Sequence, residues 1–166
     1  NNLIAYYTGS NIAVLDIETK QVVNNLEETG KVRSITMSQD GKYVLANSND
    51  KNDNTKARIN LWNIESAKVV QTYVGHIQEK YVLKWAFGGK FENYILCGSE
   101  DDAIYIWNRH SGELLDVLKE HKDTVNNIAW STQIPNFFFS CADDQTIKIW
   151  GVDKDHKVKV TIPSKF

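Results

Sequence analysis

The stretch Cys97–His121, CGSEDDAIYIWNRHSGELLDVLKEH, opens with a pattern that recurs 43 residues later as Ser140–Trp150, SCADDQTIKIW. Superposing Trp107 on Trp150 sets Asp101 over Asp144, each six residues before its Trp, and Ile104 and Ile106 over Ile147 and Ile149. Alternation of this kind puts one set of side chains on each face of an extended chain, so both copies read as β-strands entered through an acidic turn. Two more anchors lie upstream, Trp62 and the eroded Leu15, and the anchor intervals are 47, 45 and 43 residues. A module recurring at this period cannot bury its apolar face alone and has to stack on its neighbours.

The strands around each anchor repeat as well. Val32, Ile35 and Met37 are spaced as Val82, Trp85 and Phe87 and again as Val125, Ile128 and Trp130, which predicts an inner strand in three of the modules. Eight residues past each anchor stand Val23, Val70, Leu115 and Val158, marking the outer strand, and Pro163 is expected to end the last one. Leu3–Tyr7, Asn11–Ile17 and Gln21–Leu26 supply three strands of the first module, with nothing ahead of them for an innermost fourth. Between the Tyr43–Asn47 strand and the next lies Ser48–Lys56, SNDKNDNTK, which makes Asn47 to Trp62 five residues longer than Cys97 to Trp107. A tolerated polar loop on the surface is the favoured reading, and a functional loop is the competing one.

Period, aromatic anchor, four short strands per module and the pair Gly75-His76 resemble the WD-repeat family, whose modules are β-propeller blades. The family's Trp-Asp dipeptide stands here as Trp62-Asn63, Trp107-Asn108 and Trp150-Gly151. The expected fold is therefore all-β: part of a WD-repeat propeller in one domain, 1–166, with four-stranded antiparallel blades near 1–29, 30–74, 75–119 and 120–166 and the first incomplete. Propellers close with about four to eight blades. A chain of not quite four is expected to be completed by missing blades or to self-associate, with apolar sheet faces such as Leu3, Tyr7, Val14, Phe138, Ile147 and Ile149 turned outward.

With 166 residues, 42% hydrophobic and 24% charged, the chain is long enough for a buried core. Nineteen basic against 21 acidic residues, without a Lys/Arg run, leave a net charge of −2 and no strong pull on nucleic acid or anionic lipid. No apolar run of 18 residues and no secretory pattern at NNLIAYYTG point to a cytoplasmic or nuclear setting rather than a membrane. Cys97 and Cys141 lack zinc-site spacing and fall in strand interiors, which suits buried reduced thiols. No Gly-rich phosphate loop or metal-ligand spacing appears, and no cofactor is expected.

His, Ser and Asp in one cluster invite comparison with a catalytic triad. A nucleophile, however, has to be reachable beside its base, whereas this Ser falls inside a strand and the Asp recurs with the structural period, so no enzyme is expected. What the WD-repeat resemblance implies instead is a buried hydrogen-bond chain: His121, Ser140, Asp144 and Trp150 in the last blade, and His76, Cys97, Asp101 and Trp107 in the one before. Cys97 departs from the pattern, because a thiol is a weak donor. Fourteen residues past Leu15, the position corresponding to the histidines holds Thr29. Trp62, Trp107 and Trp150 read as core residues.

YVLKWAFGG together with the text from Ile95 to Trp150 also resembles, more narrowly, the C-terminal propeller half of the WD-repeat subunits of GID/CTLH ubiquitin ligases. The Phe87-Gly88-Gly89 turn, the Tyr105-Ile106-Trp107 strand and the Arg109-x-x-Gly112-Glu113-Leu114 turn carry the likeness. It implies a non-catalytic scaffold whose partners are other ligase subunits and substrate or regulatory peptides; a generic WD-repeat adaptor of another complex is the alternative. First and third strands of a blade run the same way, so the inner-strand entries and the acidic turns share one face. The candidate docking residues there are Gln78, Lys80, Tyr81, Glu100, Asp102, Lys122, Asp123, Asp143 and Gln145.

Overall fold

A computed structural model describes residues 3–49, 57–134, 136–152 and 158–165, the last segment by its backbone. Among these residues the structure is all-β. The strands are β1 (Leu3–Thr8), β2 (Asn11–Asp16), β3 (Val22–Glu27), β4 (Val32–Met37), β5 (Tyr43–Asn49), β6 (Ala57–Asn63), β7 (Lys68–Val74), β8 (Trp85–Gly88), β9 (Tyr94–Gly98), β10 (Ile104–Asn108), β11 (Leu114–Leu118), β12 (Val125–Trp130), β13 (Phe137–Ala142), β14 (Thr146–Val152) and β15 (Val158–Lys165). They form four antiparallel sheets in sequence order: the three strands β1–β3, then β4–β7, β8–β11 and β12–β15 with four each. Each sheet is a blade, and the chain divides into two compact units, Asn1–Glu79 and Lys80–Phe166, of two blades each.

Every blade carries the same irregularity at its anchor. The ladder to the outermost strand slips beside Leu15, Trp62, Trp107 and Trp150, because that strand holds one extra residue there: Val23, Val70, Leu115 and Thr161. Such a bulge increases local twist and re-aims the neighbouring side chain. Here it sits next to the half-buried Leu15 and to three anchors sunk in the core, Trp62 and, each 1% exposed, Trp107 and Trp150. In the last blade the extra residue is Thr161, not Val158; Val158 pairs with Val152 at the start of β15. The spacing that placed Val158 fails because the fourth β14–β15 connection is longer. Pro163 does not end the strand either, pairing with Lys148 on the edge strand of its sheet, the place where a sheet tolerates proline.

The residue after the anchor explains how the Trp-Asp dipeptide survives as Trp-Asn. Asp16 Oδ1 accepts the N–H groups of Glu18 and Thr19, at 2.9 and 2.8 Å. Asn63 Oδ1 accepts that of Ser66 at 2.9 Å, and Asn108 Oδ1 those of His110 and Ser111 at 2.9 and 3.0 Å. The task is an acceptor for a turn's orphan amides, which an amide oxygen performs as well as a carboxylate. Four residues on, each of these turns closes in the left-handed region, at Lys20, Ala67 and Gly112, with φ of 57°, 52° and 73°.

In the first unit the core lies between the first two blades and contains Ile12, Val14, Leu26, Val32, Val44, Ala46, Trp62 and Ile64. In the second, Leu96, Ile104, Ile106, Val125, Ile128, Phe138 and Trp150 fill the same place between the last two. Val14 and Phe138, expected on outward faces, therefore point between blades, each fully buried; Tyr7 does stay exposed. Val82 is 55% exposed and Leu83 takes the buried position, because β8 starts only at Trp85. Ser48 and Asn49, read as the start of a surface loop, are buried residues of β5; residues 50–56 lie outside the described residues. The ladder pairs Ala46 with Asn60 as it pairs Cys97 with Tyr105 and Ser140 with Lys148, so Ala46, not Asn47, is their counterpart. Cys97 is buried and Cys141 only partly so; both are free thiols.

Backbone approach between blades is close. Val125 N–H donates to Ser99 O at 3.1 Å, and a Cβ on Gly98 would stand 2.1 Å from the Val125 carbonyl oxygen. Gly98→Ala is therefore expected to push the third and fourth blades apart, at about 1–3 kcal/mol. Gly9→Ala, whose Cβ would meet nothing within 4 Å, should cost only the left-handed backbone penalty of about 1–2 kcal/mol. Urea unfolding midpoints for the two variants check this, and the Gly98 variant should also lose the cooperativity of the second unit.

Candidate functional site

The acidic turns and the inner-strand entries are the polar end of the third and fourth blades. In the fourth blade the hairpin Ala142–Gln145 closes with Gln145 N–H on Ala142 O at 3.2 Å and Gln145 at φ 63°. That geometry leaves Asp144 pointing back under the turn. Asp144 Oδ2 accepts the backbone N–H of Lys122 at 3.0 Å and His121 Nδ1–H at 2.9 Å, while Oδ1 accepts Thr146 N–H at 3.0 Å and its hydroxyl at 2.6 Å. His121 Nε2 then lies 2.7 Å from Ser140 Oγ, which accepts the indole N–H of Trp150 at 2.8 Å. With Nδ1–H committed to a carboxylate, Nε2 is the acceptor for the Ser140 hydroxyl. The four residues thus form one chain, Trp150 to Ser140 to His121 to Asp144, linking a core aromatic to the surface turn.

Its electrostatics keep the histidine neutral. Burial lowers the His121 pKa from its ordinary 6.5, against the upward pull of Asp144. For Asp144 burial works toward a higher value, but the hydrogen bonds from Thr146, the Lys122 amide and His121 outweigh it and hold the carboxyl well below 3.8. The pair is a hydrogen bond between a neutral imidazole and a carboxylate rather than an ion pair. Ser140 is 2% exposed, and its oxygen already serves the indole. A substrate carbonyl would have to displace Trp150 to reach it.

In the third blade the set is divided between the two units. His76 is buried in the first; Cys97, Asp101 and Trp107 belong to the second. Within the second unit the Cys97 thiol donates to Gly98 O at 2.9 Å, and burial raises its pKa far above the ordinary thiol value. Such a thiol is inert as a nucleophile. Asp101 Oδ2 accepts the Tyr105 hydroxyl at 2.8 Å, and burial together with that carboxylate pushes the phenol up to about 12. Tyr105 in turn stacks on Trp107, ring centroids 5.7 Å apart. The Arg109 turn is held by a partly buried pair, Arg109 to Glu92 Oε2 at 3.1 Å, with the guanidinium 5.0 Å over Phe87.

The second blade contains a substitute that the spacing missed. Thr29 is exposed, and the neighbouring Glu28 is 4% exposed. Glu28 Oε2 accepts the Ser48 hydroxyl at 3.0 Å and Asn60 Nδ2–H at 2.8 Å, while Oε1 accepts the indole N–H of Trp62 at 2.5 Å. Ala46 stands where the fourth blade has Ser140, so no hydroxyl is available to relay, and one longer carboxyl side chain spans the gap. Counting back from the next inner strand would have found it, since Glu28 precedes Val32 by four residues as His121 precedes Val125.

Of the candidate docking residues, Gln78 is fully buried and accepts a hydrogen bond from Asn47 Nδ2, so it is removed from the surface set. Glu100 accepts the amides of Lys80 and Tyr81 at 2.9 and 2.8 Å, holding this inner-strand entry against the acidic turn. Lys80 is exposed with its ammonium 4.9 Å over the Tyr81 ring. Asp102 and Gln145 occupy matching left-handed turn positions at φ 65° and 63°. Lys122, Asp123, Asp143 and Gln145 are exposed, with Asp143 Oδ1 accepting Asn126 Nδ2–H at 2.6 Å.

Two outcomes follow from these networks. Since the folded pKa values of His121 and Asp144 lie below 6.5 and 3.8, the unfolded chain binds protons first as pH falls. The stabilisation from His121 is complete above 6.5 and is lost as pH drops through its lowered value; that from Asp144 is complete above 3.8 and is lost in stronger acid. Denaturant unfolding between pH 7.5 and 4.5 should therefore show declining stability. His121→Asn should be less stable at pH 7.5 by about 1–3 kcal/mol and decline less steeply. Separately, Glu28→Ala should lose at least about 2 kcal/mol by orphaning a buried indole N–H, while Thr29→Ala stays within about 0.5 kcal/mol of wild type in the same assay.

Comparison with known proteins places this architecture. The family model "WD domain, G-beta repeat" matches residues 67–108 and 112–151. "GID complex subunit 7" of Schizosaccharomyces pombe is 37% identical over 145 residues, an alignment covering 87% of this chain and 27% of that protein. "WD repeat-containing protein WDS homolog" of Arabidopsis thaliana is 36% identical over 157 residues, covering 94% and 29%, and "WD repeat-containing protein 26 homolog" of the same plant is 36% identical over 153, covering 92% and 25%. The chain thus spans about a quarter of the length of these relatives. Among solved structures, the "computationally designed Ika4 protein" superposes with a TM-score of 0.73 over 92% of this chain and 87% of that one, at 22% identity, a likeness of fold alone. Repeated anchors, blade topology and the matched repeats agree, and the chain belongs to the WD40-repeat family.

Proposed function

We propose that this chain is a non-catalytic WD-repeat scaffold of a GID-type ubiquitin ligase, supporting assembly or presenting substrates or regulators to it. The observation that carries the reading is the 37% identity to GID complex subunit 7 across 87% of the chain. A non-catalytic role is supported by the burial of His121 and Ser140 behind the Trp150 indole and by the thiol chemistry of Cys97. The partner-binding face is the polar end of the third and fourth blades, with Lys80, Tyr81, Glu100, Asp102, Lys122, Asp123, Asp143 and Gln145. In this reading the buried networks are structural and hold the turns in place, while specificity comes from the exposed side chains around them. Mixed charges on such a rim set partner choice and association rate more than bulk affinity.

The test is affinity capture of the tagged protein from its source cell. Recovery of a RING subunit with helical CTLH partners is expected, and consistent recovery of a different complex without them would overturn the ligase assignment. Lys80→Glu combined with Lys122→Glu should weaken capture of a partner at least tenfold while the melting temperature stays within a degree or two. Undiminished capture would move the docking face elsewhere.

A further inference from the structure

A cavity of about 430 Å³ opens between the third and fourth blades, at the end opposite the acidic turns. Its walls are Tyr94, Leu96 and Ile106 from the third blade and Trp130, Phe138 and Val152 from the fourth, with Asn108, Leu115 and Asp116 also lining it. The size lies within the roughly 300–1,000 Å³ of ligand pockets, and an apolar wall with few polar groups is the usual composition of a binding site. The aromatic side is firmly packed: Tyr94 and Trp130 have centroids 6.2 Å apart, Trp130 stacks on Phe138 at 5.7 Å, and Phe138 on Trp150 at 5.6 Å. This wall is therefore continuous with the core, while Leu115, the extra residue of the β11 bulge, stands 47% exposed at the mouth. Strand direction puts the β8–β9 and β12–β13 turns at the same end, and their tips carry Phe91 and Ile134, 70% and 54% exposed.

Charge selects the occupant. Among the described residues lining the cavity Asp116 is the charged one; its Oδ1 accepts the Val117 amide at 2.8 Å, and Oδ2 has no partner among the described residues. Glu113, three residues earlier, is exposed, whereas the nearby cation Arg109 is neutralised by Glu92 and buried. An apolar hollow with an uncommitted carboxylate at its rim complements a hydrophobic side chain with a cation next to it. We propose that this inter-blade cavity is a second docking site, taking an extended segment of a partner protein by one aromatic or large aliphatic anchor flanked by Lys or Arg. The site is separate from the polar face and does not depend on which complex the chain serves.

Two blocked pentapeptides test it, Gly-Lys-Phe-Lys-Gly and Gly-Glu-Phe-Glu-Gly, titrated into the ¹⁵N-labelled 166-residue chain. The expected result is saturable shifts of the Trp130 indole and of the Leu115 and Asp116 amides with the Lys-flanked peptide, at least tenfold tighter than with the Glu-flanked one. Asp116→Lys should reverse that order, and Leu115→Asp should abolish binding of both; both positions are exposed on an edge strand, and unchanged spectra elsewhere establish that the variants fold. Equal affinity for the two peptides, indifference to Asp116→Lys, or no shifts at millimolar peptide would each overturn the proposal. So would concentration-dependent self-association that Leu115→Asp abolishes, since the cavity would then belong to a second copy of this chain.

Discussion

A buried indole N–H has to be given an acceptor, and the blades with a described partner for their anchor differ mainly in how they supply one. Leaving the group unpaired would cost about 1–3 kcal/mol, a large share of the stability of a domain this size. In the fourth blade Ser140 accepts from Trp150 and passes the demand to His121 and then to Asp144, which can face water. In the second, Glu28 accepts from Trp62 directly. Both solutions tie the anchor to the segment entering a blade's inner strand, so burying the tryptophan and fixing the chain's path into the next strand are one event.

The resulting Ser–His–Asp geometry has the hydrogen-bond lengths of a hydrolase site, and the difference lies in what the serine oxygen faces. In a hydrolase it faces substrate; here it faces an indole in a packed wall. The same donors and acceptors here tie a core indole to a surface turn. The lowered pKa values serve that end too, since a neutral His121 and an ionised Asp144 keep each bond's donor and acceptor assignment unambiguous over the neutral range.

Periodicity made the fold legible because each blade repeats one solution to one packing problem. Trp107 and Trp150 sit where the alternation puts them, and the inner-strand triplets Val32-Ile35-Met37 and Val125-Ile128-Trp130 do form β4 and β12. Expectations failed where spacing was carried across connections of different length. Val158 was aligned through the long fourth turn, Thr29 through a run from β3 to β4 that is one residue shorter than that from β11 to β12, and Val82 through an inner strand that starts late. Gln78 illustrates a different limit: its polarity suggested the surface, but Asn47 offers a buried partner from a distant strand, and no local pattern reports such a pairing. The partners of Glu28 are of the same kind, since Ser48 comes from β5 and Asn60 and Trp62 from β6, although the offset to Val32 marks Glu28 itself.

The extra residue on each outermost strand has a further consequence for the molecule in a crowded solution. These strands carry adjacent apolar residues in the open, Val22-Val23, Val69-Val70 and Leu114-Leu115, each between 41% and 52% exposed. A regular edge of that composition is a template for adding strands from other molecules, the first step toward fibres. The bulge interrupts the run in the middle of each pair and increases its twist, so an incoming strand finds no straight ladder longer than a few residues. One inserted residue per blade thus sits beside the anchor, a tryptophan in three of the four, and keeps the outermost strands from polymerising.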